Sequence, residues 1–279
     1  MPELPEVEAM RRGLEQAGVP GSTVSHIDFP RTRYRPIEIH PSRNAIRRLL
    51  VGRRIESVDR WGKAVLLVFE HQQRLVIEPR MTGLMLICPP NDRQYVRMTL
   101  SLEGARIETV YFWDRRGLGK VHLWSEQEFE RRQADGLRGP DALRVSRTEL
   151  IQALGGSRRP IKLALLDQHI LSGVGNLYAS EILHRARIHP QRACCQLDTH
   201  QWQRLHRAMR EVLGEAVRCE GSTLLDETYL NVNGKPGRYQ YRHRVYQRAG
   251  SLCSQCRKGI IQRMVLGQRS TFFCPICQR

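Results

Sequence analysis

The sequence predicts a multidomain α+β protein: an N-terminal β-sandwich led by one helix, then a helical domain, then a small cysteine-bearing hairpin. Three observations support this. Short apolar runs separated by turn-forming residues fill most of the first 125 residues. From about residue 126 the apolar spacing becomes helical. Two Cys-x-x-Cys pairs then mark the C-terminal segment. The expected domains are 1–125, 126–238 and 239–279. A chain of 279 residues, 41% of them apolar, can build two cores and a small module.

The leading helix is read from Val7, Met10 and Leu14, which share one face, with Pro5 suited to a first turn. Strands are expected at Ala64–Phe69, Leu75–Ile77, Met98–Leu102, Ile107–Phe112 and Val121–Trp124. Turns such as His71-Gln72-Gln73, Pro89-Pro90-Asn91-Asp92 and Glu103-Gly104 separate several of them. In the helical part, Ser146-Arg147-Thr148-Glu149 is a capping box ahead of Leu150, Ile151 and Leu154. Asp198 to Gln201 is a looser start signal for a helix with Trp202, Leu205, Met209, Val212 and Ala216 on one face. Between them, Leu171-Ser172-Gly173-Val174-Gly175-Asn176 reads as a glycine turn joining two helical segments. Gly221 to His243 is glycine- and tyrosine-rich and reads as a long loop of functional length.

Charge narrows the function. Forty-five Lys and Arg stand against 28 Asp and Glu, a net +17. Such an excess suits a polyanion, above all the phosphates of nucleic acid. From Thr228 to Arg279 there are ten basic residues and no acid. Aromatic residues are only 6%, too few for an aromatic recognition sheet. The longest clear apolar run, Ala64 to Phe69, is far too short to span a bilayer. Acids at Glu3, Glu6 and Glu8 argue against a secretory signal. A cytoplasmic protein is expected, with its eight cysteines not held as a disulfide framework.

The most specific pattern is Cys253-x-x-Cys256, seventeen residues, then Cys274-x-x-Cys277. Each pair can place two thiolates on one tetrahedral ion, so the four predict a single structural Zn2+. With no open ligand position, that ion would fold the tail rather than perform chemistry. Cys88, Cys194, Cys195 and Cys219 lack such spacing and read as ordinary thiols.

The chain opens Met1-Pro2-Glu3-Leu4-Pro5-Glu6-Val7-Glu8. Further along come Lys63, Met81-Thr82-Gly83, Asp114-Arg115-Arg116, Gly139-Pro140-Asp141 and Ile161-Lys162. Gly173 to Glu181, Ile188-His189-Pro190, Gly234-Lys235-Pro236-Gly237 and Gln268 to Cys274 complete the series. In this order and over the whole chain, the sequence resembles the formamidopyrimidine-DNA glycosylases, relatives of endonuclease VIII. The resemblance implies a helix-two-turn-helix DNA-binding domain and a terminal zinc finger. It implies excision of oxidised purines (8-oxoguanine and formamidopyrimidines) from duplex DNA, through a Schiff base on the N-terminal proline and β,δ-elimination. The implied partner is double-stranded DNA carrying oxidised bases or abasic sites; nothing in the sequence requires more than a monomer.

The residues themselves support that chemistry. Removal of Met1 would expose Pro2 as a secondary amine, and an α-amino group of pKa about 8 is partly unprotonated near neutrality. It can attack the sugar C1′ and form an iminium ion, an electron sink for elimination. A nearby carboxylic acid must shuttle protons, and Glu3 is the nearest candidate. Glu6 lies about one helical turn on and can support the site. By the resemblance, Lys63 and Arg269 contact phosphates around the lesion and assist elimination, and Asn176 and Arg158 contact the DNA backbone. Met81 and Arg115 fill the space a flipped base leaves, because a base cannot be reached inside the duplex. The 221–243 loop would cover that base.

The sequence departs from the family pattern in places. Glu78-Pro79-Arg80 precedes Met81 where His-Leu-Gly is common. Gly117-Leu118-Gly119 stands where an intercalating phenylalanine is usual, leaving Leu118 as the candidate wedge. Asp92-Arg93-Gln94-Tyr95 replaces a histidine-bearing stretch, and Arg158 and Arg159 stand where lysines are frequent. Leu4-Pro5 favours the purine-excising branch over an endonuclease VIII-like preference for oxidised pyrimidines. A non-catalytic DNA- or RNA-binding zinc protein would use the tail equally well but would have no need of Pro2-Glu3.

Overall fold

The protein is described by a computed structural model covering residues 2–224 and 228–279. Its contacts divide the chain into two compact units: Met1–Asp135 with Cys219–Gln240, and Gly136–Arg218 with Tyr241–Arg279.

In the first unit, α1 (Leu4–Gln16) is followed by β1 (Thr23–Asp28), β2 (Glu38–His40), α2 (Arg43–Leu50), β3 (Ile55–Trp61) and β4 (Ala64–Phe69). Then come β5 (Gln73–Glu78), β6 (Gly83–Leu86), β7 (Val96–Glu103), β8 (Thr109–Asp114), β9 (Lys120–Trp124) and α3 (Glu126–Ala134). The strands form a four-stranded sheet, β1-β7-β8-β6, and a five-stranded sheet, β2-β9-β5-β4-β3. Both sheets feed one core. Met98, Leu100 and Phe112 from the first meet Val65, Leu67, Leu75 and Ile77 from the second. Val7, Met10 and Leu14 of α1 join them, as their spacing predicts. This is the sandwich led by a helix that the sequence predicts.

The run Ala64–Phe69 is buried at every position because β4 is covered on both faces. Val65, Leu67 and Phe69 enter the main core, whereas Ala64 and Leu66 enter a smaller cluster with Val76, Trp124 and Phe129 of α3. The expected strand at Ile107–Phe112 lies two residues later, at Thr109–Asp114, with residues 104–108 in the β7–β8 connection.

In the second unit, α4 (Arg147–Leu154), α5 (Ile161–Leu166), α6 (Asn176–Ala186) and α7 (Thr199–Arg218) precede a hairpin of β10 (Gln262–Leu266) and β11 (Arg269–Phe273). The capping box read from sequence starts α4: the Ser146 hydroxyl accepts from Glu149 N–H at 3.2 Å, and Glu149 Oε2 accepts from Ser146 N–H at 2.8 Å. Asp198 and Gln201 make the same reciprocal pair ahead of α7, at 2.8 and 3.1 Å. The five residues assigned to the apolar face of α7 are all buried. Among the described residues, no helix is long and apolar enough to cross a membrane.

Candidate active site

The first unit holds the N-terminal group. Pro2 and Glu3 precede α1 and are buried. Glu3 is the N-cap, with extended backbone, and Pro5 sits in the first turn, where its missing N–H costs nothing. A capping box closes this end: the Glu3 carboxylate accepts from the Glu6 N–H, and Glu6 Oε2 accepts from the Glu3 N–H at 2.9 Å. The other oxygen of Glu6 accepts from the Ser222 N–H at 2.9 Å. Glu6 thus ties the start of α1 to the segment returning after α7. Gly221 permits that approach. Its φ is +81°, and a Cβ there would lie 2.8 Å from Glu6 Cγ and 2.9 Å from Glu6 Oε1.

Lys63 follows Gly62 in the two-residue turn between β3 and β4 and is half-buried. Arg60 and Glu8, neither of which has a site role on sequence grounds, fasten this turn to α1. Arg60 donates from Nη1 to the Gly62 carbonyl at 2.9 Å and from Nε to Glu8 Oε2 at 2.9 Å. Glu8 also accepts from Arg11 at 3.2 Å and Arg12 at 2.8 Å. Burial pushes its carboxyl up, but the Arg12 and Arg60 hydrogen bonds outweigh that and hold it below its ordinary value of 4.5. A depressed folded value means stability that is present above the unfolded pKa and lost as pH falls through the folded one. Glu8→Gln should therefore lower stability at pH 7 by roughly 2 kcal/mol. Its melting temperature should then fall less steeply than the wild type's below about pH 4.5. Thermal unfolding from pH 7 to pH 3.5 checks this, and parallel curves would remove Glu8 from the account.

Met81, Arg115 and Leu118 lie on two turns fastened by the buried Asp114. Its Oδ1 accepts from the Thr82 hydroxyl at 2.5 Å and the Arg116 N–H at 3.1 Å, and Oδ2 accepts from the Gly119 N–H at 2.7 Å. Met81 is 36% exposed although apolar, and with Leu118 it lines a cavity of about 620 Å³ rimmed by Arg35, Arg80 and Lys120. Arg115 is exposed. Tyr95, in the stretch that departs from the family pattern, packs edge-on against Trp113 and at a tilt against Tyr34. In the 221–243 loop, residues 225–227 lie outside the described residues. Elsewhere in that loop, Asn231 Oδ1 accepts from the Asn233 and Lys235 N–H groups, each at 3.0 Å.

The second unit holds Asn176, Arg269 and Arg158. Asn176 opens α6 after the Gly173–Gly175 turn, which Gln168 braces by accepting from the Gly173 N–H and donating to the Val174 carbonyl. Asn176 Nδ2 donates to the Ser270 carbonyl at 3.0 Å, and its buried Oδ1 has no partner among the described residues. Lys162, fully buried, donates to the same carbonyl at 3.2 Å and to the Thr271 hydroxyl at 2.6 Å. The exposed Arg269 is the residue just before this anchored backbone. Its hairpin turns through Gly267 and Gln268, both at positive φ. Arg158 is exposed on the loop between α4 and α5. Lys162 and Glu181 fall within sequence motifs that assign them no task. The structure gives Glu181 one: its carboxylate accepts the N–H groups of Arg244, Val245 and Tyr246 at 2.8–3.1 Å, fixing the chain that enters the cysteine module.

The four sulfurs of Cys253, Cys256, Cys274 and Cys277 all lie within 4.8 Å of one another. Cys253–Cys277 and Cys256–Cys274 are each 3.7 Å apart. Thiolates about 2.3 Å from a central tetrahedral ion would be separated by about 3.8 Å, whereas a disulfide needs about 2.05 Å. Backbone N–H donors already face two of the sulfurs, and an imidazole nitrogen faces a third. Gly259 N lies 3.3 Å from Cys256 Sγ, Cys277 N 3.4 Å from Cys274 Sγ, and His184 Nε2 3.3 Å from Cys253 Sγ. The set can hold one metal ion and leaves it no open position.

The family model of the formamidopyrimidine-DNA glycosylase N-terminal domain matches residues 1–121, and that of the H2TH domain of the same enzymes matches 138–228. Formamidopyrimidine-DNA glycosylases of Chloroflexus aurantiacus and Thermus thermophilus are 38% and 40% identical, over 100% of this chain and 98% of theirs. The crystal structure of MutM (Fpg) from Thermus thermophilus matches with a TM-score of 0.84 at 39% identity, covering 99% of this chain and 98% of that one. Lactococcus lactis Fpg in complex with DNA containing an abasic site matches at 0.86, with 28% identity and 99% of each chain covered. The chain belongs to the formamidopyrimidine-DNA glycosylase family.

Proposed function

We propose that this protein is a bifunctional glycosylase and abasic-site lyase that removes 8-oxoguanine and formamidopyrimidines from duplex DNA. The observation that carries the reading is the Pro2–Glu3 pair, buried and immobilised by the capping box and by Glu6. Such fixation suits a nucleophile and its proton carrier, because reaction rates fall steeply when reacting groups are misplaced.

With Met1 removed, the Pro2 nitrogen attacks C1′ as the damaged base departs with the glycosidic electron pair, and the proton that the nitrogen sheds passes to the departing base. Glu3 protonates the ring oxygen O4′, the C1′–O4′ bond breaks, and an iminium ion joins Pro2 to the opened sugar. Loss of a C2′ proton expels the 3′-phosphate. A second elimination expels the 5′-phosphate, and water releases the amine. Lys63 and Arg269 neutralise the phosphates as they leave, and Asn176 and Arg158 hold the flanking backbone. Met81, Arg115 and Leu118 occupy the gap in the duplex, while the 221–243 loop encloses the extruded base.

The four thiolates would hold Zn2+, which closes the module and supplies no reaction step. The protein acts as a monomer in the cytoplasm, on the nucleoid. Solved relatives support the substrate class: Lactococcus lactis Fpg proteins have been captured on DNA containing an abasic site and on DNA containing Fapy-dG.

Borohydride trapping tests the reading. Duplex DNA carrying 8-oxoguanine opposite cytosine should yield a covalent adduct that maps to Pro2. An adduct with abasic DNA alone would retain the lyase and reopen the lesion. DNA binding without either adduct would establish a non-catalytic DNA-binding protein instead.

A further inference from the structure

Within the second unit, the C-terminal end of α6 opens onto a cavity of about 770 Å³. Arg185 and Arg187 of α6 and its cap, and Arg204 and Arg207 of α7, line one side. Arg192, Arg244 and Arg279 complete the wall, and Glu211 is the only acidic side chain in it. Glu211 is engaged by Arg185. Among the described residues, no carboxylate side chain pairs with the other six arginines.

Two structural explanations take up part of this charge. The negative end of a helix dipole favours a cation, and Arg204 supplies one, donating to the Ala186 carbonyl at 3.1 Å. A zinc-loaded tetrathiolate contributes about −2 beside Cys277, and the Arg279 α-carboxylate, which accepts from Arg192 Nη1 at 3.4 Å, a further −1, which still leaves the cavity near +3. Neither accounts for Arg187 and Arg207, which are exposed and whose guanidinium groups make no hydrogen bond among the described residues. Arg187 also occupies the left-handed cap of α6, at φ +58°, where glycine or asparagine is the usual residue. Gln255 contributes a buried side-chain amide oxygen with no partner among the described residues. The rotated amide would present a donor at that point.

We propose that this cavity is a second phosphate-binding site, separate from the DNA contacts, that takes a linear chain of three or more phosphates. Its volume is that of a small-molecule site, and its concave wall suits a compact anion better than a duplex backbone. Planar, fork-shaped guanidinium groups match phosphate oxygens pairwise. No aromatic residue lines it, so a nucleoside base would find nothing to stack on. The site lies at the opposite end of α6 from Asn176 and Arg269, about 16 Å away at 1.5 Å per residue. Both sites can therefore be filled together.

The test is calorimetric titration of zinc-loaded protein, saturated with duplex DNA bearing an abasic-site analogue, with sodium tripolyphosphate at low salt. One equivalent should bind, with ATP matching it within about threefold because the base is not held. Arg187→Gly/Arg207→Ala should weaken binding at least about tenfold; the glycine keeps the left-handed cap. The single Arg207→Ala variant should show part of that loss without touching the cap. Arg210→Ala/Arg218→Ala, which removes the same charge from exposed positions of α7 outside the cavity, should change it less than about twofold. Equal loss in both double variants would reduce the effect to diffuse charge and overturn the proposal. So would absence of binding to the DNA-saturated protein, displacement of the phosphate chain by a second duplex, or release of zinc during the titration.

Discussion

Replacing Pro2 with glycine is expected to cut single-turnover excision of 8-oxoguanine by on the order of 10²–10³-fold. Dissociation of the protein–DNA complex should change less than about twofold in constant, and the melting temperature by no more than about 4 °C. The asymmetry follows from position. Pro2 precedes the first hydrogen-bonded turn of α1, and the capping box that secures this turn uses Glu3 and Glu6. Glycine would still present an α-amine, so residual lyase activity on a preformed abasic site should survive. What is lost is the ring that fixes the nitrogen against the buried Glu3. Glu3→Gln should show the complementary defect. The amide can still accept the Glu6 N–H, but it cannot carry a proton, so excision falls while the cap remains. Normal excision by the Pro2→Gly enzyme would remove Pro2 as nucleophile, and a matching loss of DNA affinity would recast it as a structural residue.

The Pro2–Glu3 pair can be singled out from sequence because the two are contiguous, and the structure places both, buried, at the capped start of α1. Long apolar patterns were legible for a different reason: β4 and α7 bury residues at regular spacing, which needs no tertiary knowledge to detect. The elements left unread bury little. β2 has three residues, only one of them even half-buried, and α2 buries only Ile46 and Leu50 among basic neighbours. β1 carries the polar stretch Ser25-His26 at its centre and breaks its alternation at an irregularity in register. The supporting side chains are hidden by a deeper limit. Arg60, Asp114, Lys162 and Glu181 act on groups 32 to 109 positions away in sequence, and although the last three fall within sequence motifs, nothing local tells what each one holds. The return of residues 219–240 to the first unit has the same character. It depends on Glu6 accepting the Ser222 N–H across 216 positions and on a glycine at 221 to allow it.

Cys274→Ser carries the second large effect, because it tests how far the cysteine module holds the arginine hairpin in place. Cys274 directly follows β11, the strand that begins at Arg269. Its Sγ accepts the Cys277 N–H at 3.4 Å, and its own N–H is held by the Gln278 side chain at 2.9 Å. Gln278 in turn donates to the Ile188 carbonyl at 2.9 Å. The module's apolar contribution is small: Val245, Ile261 and Phe272 with Cys253 and Cys274 make up its buried cluster. So few apolar residues cannot offset the entropy of ordering a tail of this length. A structural zinc contributes on the order of 10 kcal/mol to such a module. The variant should therefore lose zinc, expose residues from about 247 onward to protease, and leave the first unit's sandwich folded. Affinity for lesion-containing duplex should fall at least about 100-fold, since Arg269 would no longer be presented at a fixed position. Zinc content by atomic absorption, limited proteolysis and duplex binding read the three consequences separately. Full zinc stoichiometry in the variant would overturn the ligand assignment. Zinc loss with unchanged DNA affinity would show instead that Asn176 and Lys162, which grip the Ser270 carbonyl, hold the hairpin without the metal.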